Sequence, residues 1–322
     1  MQYKSTKSRK LMIKFIKNWT LPIAMFIGAI GYHIFYHLIF LLPYLLFSML
    51  LLTFCKVSFK ELKFEPLHFW LLLIQLIGTV VVFVALYPFN KYLAESSMLC
   101  VIAPTATAAA VVTGKLGGSV PCLTLYTLLS SMMTALLVPL FFPIIVGLPP
   151  YIDVHVNSNF ILSVLIIMAH VFPIVVLPLI LAWLFRKFTP RFHEKLSNIS
   201  GASYYLWAFT LVCVTAITIK SLVESKSDAM TKILSVFMGL VICCLQFFFG
   251  KRIGSHYGER ISGGQGLGQK NTTLIIWISQ IYLNPISSLG PCSYVIWQNL
   301  INSWQLWKKR KNNKYDKKCV DN

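Results

Sequence analysis

The sequence contains the stretch Ser262-Gly-Gly-Gln265-Gly-Leu-Gly-Gln269-Lys270-Asn271-Thr-Thr-Leu-Ile-Ile-Trp277. The first half of this stretch is polar and glycine-rich, and its second half is apolar. The apolar run Leu274–Leu283 is too short to cross a bilayer alone. This favours a span that begins earlier and includes Lys270 within the membrane. An ionisable side chain at membrane depth is costly and suggests function. The alternative is that the span begins later and that Lys270 snorkels to the interface.

A second interrupted stretch is Ser96-Ser-Met-Leu-Cys-Val-Ile-Ala-Pro104-Thr105-Ala-Thr107-Ala-Ala-Ala-Val-Val-Thr-Gly114. Pro104 removes a backbone donor and clashes with the preceding turn. Hydroxyls at Thr105 and Thr107 can bond to the freed backbone. Such backbone persists at membrane depth where it is buried in protein or lines a cavity. The simpler alternatives are close helix contacts at the glycines and a kink at the proline.

The composition surrounding both stretches is that of a membrane protein. The 322 residues are 57% hydrophobic and 12% charged, whereas soluble domains carry about a quarter charged residues. We predict an all-α polytopic membrane protein of about ten transmembrane helices. The predicted spans are 19–36, 37–55, 68–88, 95–113, 119–147, 159–186, 200–221, 230–250, 262–282 and 284–306.

The distribution of basic residues supports this count and sets an orientation. With alternating spans, 24 of the 29 Lys and Arg residues lie on the side of the N-terminus. The positive-inside rule therefore predicts a cell-membrane protein with residues 1–18 and 307–322 as basic cytoplasmic ends around a 19–306 transporter domain. Anionic lipid headgroups, rather than nucleic acid, are the expected partners of the net charge of +19. The oligomeric state is not predictable.

The two interrupted stretches are the fourth spans of two consecutive five-span halves, about 19–147 and 159–306. Because five is odd, the halves enter the membrane with opposite orientations. Interrupted segments at matching places in inverted repeats indicate the binding site of a secondary transporter.

Other classes of function fit the sequence less well. A membrane-embedded enzyme would need paired carboxylates or a His–Asp constellation at depth. We expect nearly all ten acidic residues, including Glu95, in loops or tails. A channel would need a continuous polar pore, whereas the polar residues concentrate in two short breaks. No cysteine pair has metal-site spacing, so no metal site or cofactor is predicted.

At these two segments the sequence resembles the bile acid:sodium symporter family and its prokaryotic homologues. The family's fourth-span crossover segment is similar to the stretch Ala103-Pro104-Thr-Ala-Thr-Ala-Ala-Ala-Val-Val-Thr-Gly-Lys-Leu-Gly-Gly. Its ninth-span segment is similar to Gly268-Gln-Lys-Asn271-Thr-Thr-Leu. The resemblance implies a core of spans 3–5 and 8–10, a panel of spans 1, 2, 6 and 7, and broken fourth and ninth helices that cross at mid-membrane. It also implies alternating access and an organic anion or amphipathic organic acid as substrate, carried in many members with sodium.

The sequence departs from the family at the sodium ligands. The Ser-Asn dyad of the family corresponds to Ala109 and Ala110, which have no side-chain oxygen. One register of the ninth-span motif aligns Gly266 and Lys270 with the family's Glu and Gln, and a shift by one residue aligns Gln265 and Gln269 instead. Neither register supplies a carboxylate.

The resemblance and these departures together give the predicted site. Its substrate- and ion-binding residues are Pro104, Thr105, Thr107, Ala109, Ala110, Thr127, Gln265, Gln269, Lys270, Asn271 and Gln75, and no catalytic residue is predicted. We predict a transporter of an organic anion with sodium coupling lost or altered, in which Lys270 supplies the cation. The alternatives are a sodium-coupled symporter of bile-acid-like anions and, in another class, a membrane-embedded enzyme or channel.

Overall fold

The computed structural model describes residues 22–57, 62–146, 160–199, 202–224 and 228–320, and these residues form helices and their connections. Residues 22–30 are helical, and 3₁₀ segments lie at Tyr36–Leu41 and Pro285–Ser288. The remaining helices are α1 Tyr32–Phe35, α2 Leu42–Cys55, α3 Pro66–Leu86, α4 Lys91–Ile102, α5 Ala109–Leu116, α6 Val120–Val146, α7 Phe160–Phe188, α8 Pro190–Asn198, α9 Ala202–Glu224, α10 Ala229–His256, α11 Arg260–Gly268, α12 Thr272–Tyr282 and α13 Leu289–Val320.

Six helical segments within the described ranges are long and apolar enough to cross a membrane. They are Tyr32–Cys55, Pro66–Leu86, Val120–Ile145, Phe160–Phe188, Tyr205–Glu224 and Ala229–His256. Each is at least 20 residues long, which matches the thickness of a hydrocarbon core. The chain is therefore an all-helical, multi-pass membrane protein, while the count of ten spans stays a prediction.

The boundary predicted between the first two spans, at residues 36 and 37, differs from the structure. It falls inside the helical run Tyr32–Cys55, whose 3₁₀ segment is Tyr36–Leu41. Pro43 lies in the first turn of α2 and has no N–H to donate to the carbonyl four residues earlier. The backbone N–H of Leu42 bonds to the carbonyl of Ile39, three residues back. A tighter 3₁₀ winding therefore lies where the boundary between the two spans was predicted.

The predicted fourth and ninth spans are each interrupted, as the sequence indicates. The fourth consists of α4 and α5, separated by residues 103–108, and the ninth of α11 and α12, separated by residues 269–271. Each half is 8 to 12 residues long, too short to cross a bilayer alone.

The last helix is longer than predicted. The expected span 284–306 is replaced by the 3₁₀ turn Pro285–Ser288 and α13, which continues to Val320. The basic tail 307–322 is thus mostly a helical extension of the span rather than a segment following it. The predicted N-terminal segment 1–18 and the outer loop 147–158 lie outside the described residues.

The helices around the two interruptions pack closely. Helix α10 lies against α11, and glycines permit the contact, because a Cβ added at Gly250 or at Gly263 would collide with the backbone of the other helix. Helix α4 packs against α3, α10 and α13, whereas α2 packs against α7 and α9. The interruptions therefore lie among α3, α4, α6, α10, α11 and α13.

Candidate functional site

The two interrupted segments meet and exchange backbone hydrogen bonds. The N–H of Ala106 donates to the carbonyl of Gln269 at 2.9 Å, and the N–H of Asn271 donates to the carbonyl of Pro104 at 2.7 Å. These bonds form an isolated antiparallel bridge in an otherwise helical protein, within the described residues. Each break therefore supplies the partners that the other lacks, as a non-helical backbone at membrane depth requires.

Thr105 and Lys270 are the paired residues of this bridge, and their side chains act in equivalent ways. Thr105 Oγ1 donates to the carbonyl of Gly266 at 2.7 Å, and Lys270 Nζ donates to the carbonyl of Val101 at 3.1 Å. Each acceptor lies four residues before the opposite bridge residue. Both side chains are buried, at 1% exposure. The crossing thus has an approximate two-fold symmetry in which a hydroxyl on one side corresponds to an ammonium on the other.

The backbone N–H groups of the same two residues bond to equivalent side chains. Thr105 N donates to Ser130 Oγ on α6 at 3.1 Å, and Lys270 N donates to Gln298 Oε1 on α13 at 2.7 Å. Gln298 Nε2 also donates to the carbonyl of Lys270 at 3.2 Å. The long helix after each interrupted span, α6 or α13, therefore holds the bridge residue in position.

Gln75 on α3 bonds to the free carbonyls at the end of α4. Its Nε2 donates to the carbonyls of Ile102 at 2.9 Å and Ala103 at 3.1 Å. Tyr126 OH on α6 donates to Gln75 Oε1 at 3.1 Å. The last carbonyls of a helix have no intrahelical partner, so these contacts offset the cost of burying them.

Gln246 on α10 and Tyr294 on α13 form a second glutamine–tyrosine pair at the crossing. Gln246 Nε2 donates to the carbonyl of Cys100 at 3.0 Å and to Tyr294 OH at 3.3 Å. Tyr294 OH in turn donates to the carbonyl of Gly268, at the end of α11, at 2.9 Å. A glutamine–tyrosine pair therefore contacts the crossing from each side.

The residues of α6 and α13 that contact the crossing recur at the same spacing. On α6 and on α13, a tyrosine is followed by polar residues four and eight positions later, all on one helical face. The two series are Tyr126, Ser130 and Thr134, and Tyr294, Gln298 and Asn302. None of these six residues was among those predicted, although this shared pattern was present in the sequence.

Lys270 is a buried cation at the end of a helix. No carboxylate of the described residues lies within ion-pair distance of its ammonium, which donates a hydrogen bond to the carbonyl of Val101. That carbonyl belongs to the last turn of α4, where the helix dipole is negative and favours a cation. The ammonium thus occupies the kind of position in which a bound metal cation would be stabilised.

The other predicted residues of the first half lie near the crossing with different contacts. Thr107 lies in the turn after the bridge, and Ala109 and Ala110 begin α5. Thr127 Oγ1 donates to the carbonyl of Leu123 in its own helix at 2.9 Å. Ser130, one turn further on, makes the contact with Thr105.

The second half contains two glutamines with unsatisfied acceptors. Gln265 and Gln269 are 1% and 6% exposed, and the Oε1 atom of each has no hydrogen-bond partner among the described residues. Gln265 Nε2 donates to Asn302 Oδ1 at 2.9 Å. Asn271 Oδ1 caps α12 by accepting the N–H of Leu274 at 3.4 Å. The two free oxygens are available to a donor or a cation.

Glu95 corrects the expectation that the acidic residues lie almost entirely in loops. It is 1% exposed and lies inside α4, because that helix begins at Lys91. Its Oε2 accepts the hydroxyl of Ser287 at 2.5 Å, and its Oε1 lies 3.9 Å from Lys91 Nζ. Glu95 is a single carboxylate fixed by these contacts and does not form an acid pair.

A comparison with known protein families gives a match. The sequence model described as the Sodium Bile acid symporter family matches residues 43–225, more than half of the chain. The matched region contains Gln75, the first break and Ser130, and it ends before the second break. No curated protein matches the sequence.

Proposed function

Because the chain belongs to the sodium bile acid symporter family, we propose that it moves a small organic anion or amphipathic organic acid across the cell membrane by alternating access, with its sodium coupling lost or altered. The family is one of membrane transporters, and the six apolar helices agree with that class. The observation that carries the proposal is the buried ammonium of Lys270 at the crossing of two interrupted helices. From the distribution of basic residues, both termini lie in the cytoplasm.

The equivalent contacts on the two sides of the crossing support two inverted halves, about 19–147 and 159–306. In this arrangement α3, α4–α5 and α6 of the first half correspond to α10, α11–α12 and α13 of the second. These six elements form the core, and the remaining spans form the panel. A binding site beside two crossing, broken helices is typical of transporters with inverted repeats.

Lys270 acts as a tethered cation in this proposal. A sodium ion needs several oxygen ligands, and Ala109 and Ala110 provide none from their side chains. The ammonium of Lys270 instead interacts with the helix-end carbonyl of Val101 at 3.1 Å. Its positive charge also attracts an anionic substrate to the crossing, since opposite charges interact strongly where water is excluded.

A sodium-coupled symporter is the second candidate, and one observation favours it. The unpartnered Oε1 atoms of Gln265 and Gln269 are buried oxygen acceptors beside the second break. They occupy the family's ligand positions when the motif is shifted by one residue. Against this candidate, sodium would approach an ammonium that has no carboxylate partner among the described residues.

The alternatives from other classes have weaker support. An enzyme of the acid–base type would use two groups of different pKa at one site, whereas Glu95 is a single buried carboxylate with fixed partners. A channel would conduct without saturation. The polar groups of the crossing bond mostly to one another, which is typical of a packed crossing and not of a pore.

Two measurements on the purified protein test the proposal. Thermal unfolding is followed with a panel of organic acids, each in sodium and in choline buffer, and an acid that stabilises the protein is then used for uptake into proteoliposomes. We expect saturable uptake of at least one organic anion at equal rates in the two buffers. Steep dependence on sodium would favour the second candidate, and uptake proportional to concentration without saturation would favour a channel.

A further inference from the structure

A cavity of about 920 Å³ opens at the end of α10, away from the crossing, and basic side chains line it. Lys251, Arg252 and His256 come from the last two turns of α10, and Arg260 comes from the start of α11. No acidic residue lines the cavity, and no carboxylate of the described residues forms an ion pair with these four side chains. Basic groups gathered in a concave site without counter-charges favour an anion.

Another part of the cavity lining is aromatic and continuous with an exposed apolar face. Trp70 of α3 and Phe248 of α10 line it, at 44% and 61% exposure. Phe248, Arg252 and His256 follow one another at intervals of four on an exposed face of α10. Leu245, 46% exposed, continues this face on the apolar side. One helix face thus changes from apolar to basic within three turns.

The backbone that carries these basic groups is held in a defined arrangement. The turn between α10 and α11 is closed by the N–H of Glu259, which donates to the carbonyl of Gly254 at 2.7 Å. Gly258 in that turn has a φ of +73°, which a residue with a side chain rarely adopts. The aliphatic stem of Lys251 lies directly over Gly264 on α11. The cavity is therefore built at a rigid corner and not from free surface lysines.

We propose that this corner is a binding site for the phosphate of an acidic phospholipid, whose acyl chains lie along the apolar face of α10. Arg252 and Arg260 bind the phosphate, because a guanidinium can donate two parallel hydrogen bonds to its oxygens. Trp70 lies beside the glycerol region, as aromatic side chains do at the membrane interface. A soluble anion would use the basic wall alone, whereas a lipid uses both walls.

This site is linked mechanically to the crossing. Helix α11 begins at Arg260 and ends at Gly268, directly before the break that contains Lys270. A lipid bound to Arg252 and Arg260 therefore joins α10 to α11 at their shared corner. The expected consequence is stabilisation of the protein by acidic phospholipid, independently of which substrate is transported.

The test measures lipid binding and thermal unfolding of the purified full chain. Phosphatidylglycerol is compared with phosphatidylcholine of the same acyl chains and with soluble glycerol phosphate. We expect stabilisation by phosphatidylglycerol alone. In R252Q/R260Q we expect affinity to fall about fivefold for each removed charge. R252K/R260K retains the charge but not the paired hydrogen bonds, so it should bind more tightly than R252Q/R260Q and more weakly than wild type, which separates loss of binding from a folding defect.

The matched control is R191Q/K195Q, which removes two positive charges from α8 and should leave the lipid effect unchanged. An equal loss of binding in the control and in R252Q/R260Q would overturn the proposal in favour of general surface charge. Equal stabilisation by glycerol phosphate would overturn it in favour of a soluble anion, and the absence of any preference for phosphatidylglycerol would also overturn it.

Discussion

Thr105 and Lys270 are paired across the crossing, and each donates a side-chain hydrogen bond to the carbonyl four residues before the other. The two hydrogen bonds have equivalent positions, but their donors differ in charge. A neutral hydroxyl contacts the end of α11, whereas an ammonium contacts the end of α4. The two breaks therefore have approximately symmetric geometry but differ in charge. Because Lys270 carries this difference, it is the side chain to test first.

Replacing Lys270 by methionine should abolish or uncouple transport while the protein remains inserted and folded. Methionine has similar length but removes the charge and the bond to Val101, and bonds to a charged group contribute about 1.5–3 kcal/mol. We expect uptake to fall by about tenfold or more. The measurements are uptake into proteoliposomes and thermal unfolding.

The matched control for this variant is Lys115→Met, which changes an exposed lysine on α5 and should retain full activity. Full activity of Lys270→Met would remove the tethered cation from the mechanism. Loss of folding in that variant would show instead that the ammonium is needed for assembly of the crossing.

Thr105→Val should destabilise the crossing more than its small change in shape suggests. The substitution removes the hydroxyl that donates to the carbonyl of Gly266 at 2.7 Å and leaves that carbonyl buried. The expected cost is about 1–3 kcal/mol in the free energy of unfolding. Thr124→Val is the matched control, because the Thr124 hydroxyl is exposed and bonds to Val120 within its own helix at 2.8 Å.

Ser130→Ala tests whether the two hydroxyls act as a unit. Ser130 Oγ accepts the N–H of Thr105 at 3.1 Å and lies 3.2 Å from Thr105 Oγ1. The double variant with Thr105→Val should therefore cost less than the sum of the single variants, since residues in one network are non-additive. Strict additivity in thermal unfolding would show that Ser130 and Thr105 are independent.

The two interruptions could be predicted from sequence because their causes are local. Pro104 cannot donate a backbone hydrogen bond, and the glycine-rich residues 262–268 cannot form an apolar span. The contacts of Ser130 and Gln298 could not be predicted in this way. A serine or glutamine in a helix often bonds within its own turn, and only tertiary packing brings these two side chains to the breaks.

Glu95 shows a second limit of sequence reasoning. Asn90 is a helix N-cap whose side chain accepts the N–H of Leu93 at 3.1 Å, and it moves the start of α4 to Lys91. This signal was present in the sequence, and it would have assigned Glu95 to a helix. Its burial, however, results from packing against distant segments, including the one that contains Ser287, whose hydroxyl donates to Glu95 from 192 residues later in the chain.

Removing Asp228 should destabilise the start of α10 in a pH-dependent manner. The Thr231 hydroxyl and N–H both donate to this carboxylate, at 2.6 and 3.0 Å, and they lower its pKa below the ordinary value of 3.8. A lowered pKa gives stability that is present above the unfolded pKa and is lost as the pH falls through the folded pKa. Wild type should therefore be more stable than Asp228→Ala at pH 6, and the two should converge below about pH 4.

Asp228→Asn separates the cap from its charge. Asparagine can also accept the N–H of Thr231, so this variant should retain much of the stability at pH 6 without the dependence on pH. The measurement is thermal unfolding between pH 3 and pH 7. A difference between wild type and Asp228→Ala that stays constant down to pH 3 would contradict the assigned role of the carboxylate.

Gly266→Ala should disturb the crossing through Tyr126. A Cβ at Gly266 would lie 2.8 Å from Tyr126 Cδ1, too close for the ring to stay in place. The displaced tyrosine would lose its hydrogen bond to Gln75, and overpacking of this kind costs about 1–3 kcal/mol. We expect lower thermal stability and slower uptake than in Gly78→Ala, where the nearest atom, a methyl carbon of Val101, is 3.3 Å away. Equal behaviour of the two variants would mean that Tyr126 does not hold Gln75 against the end of α4.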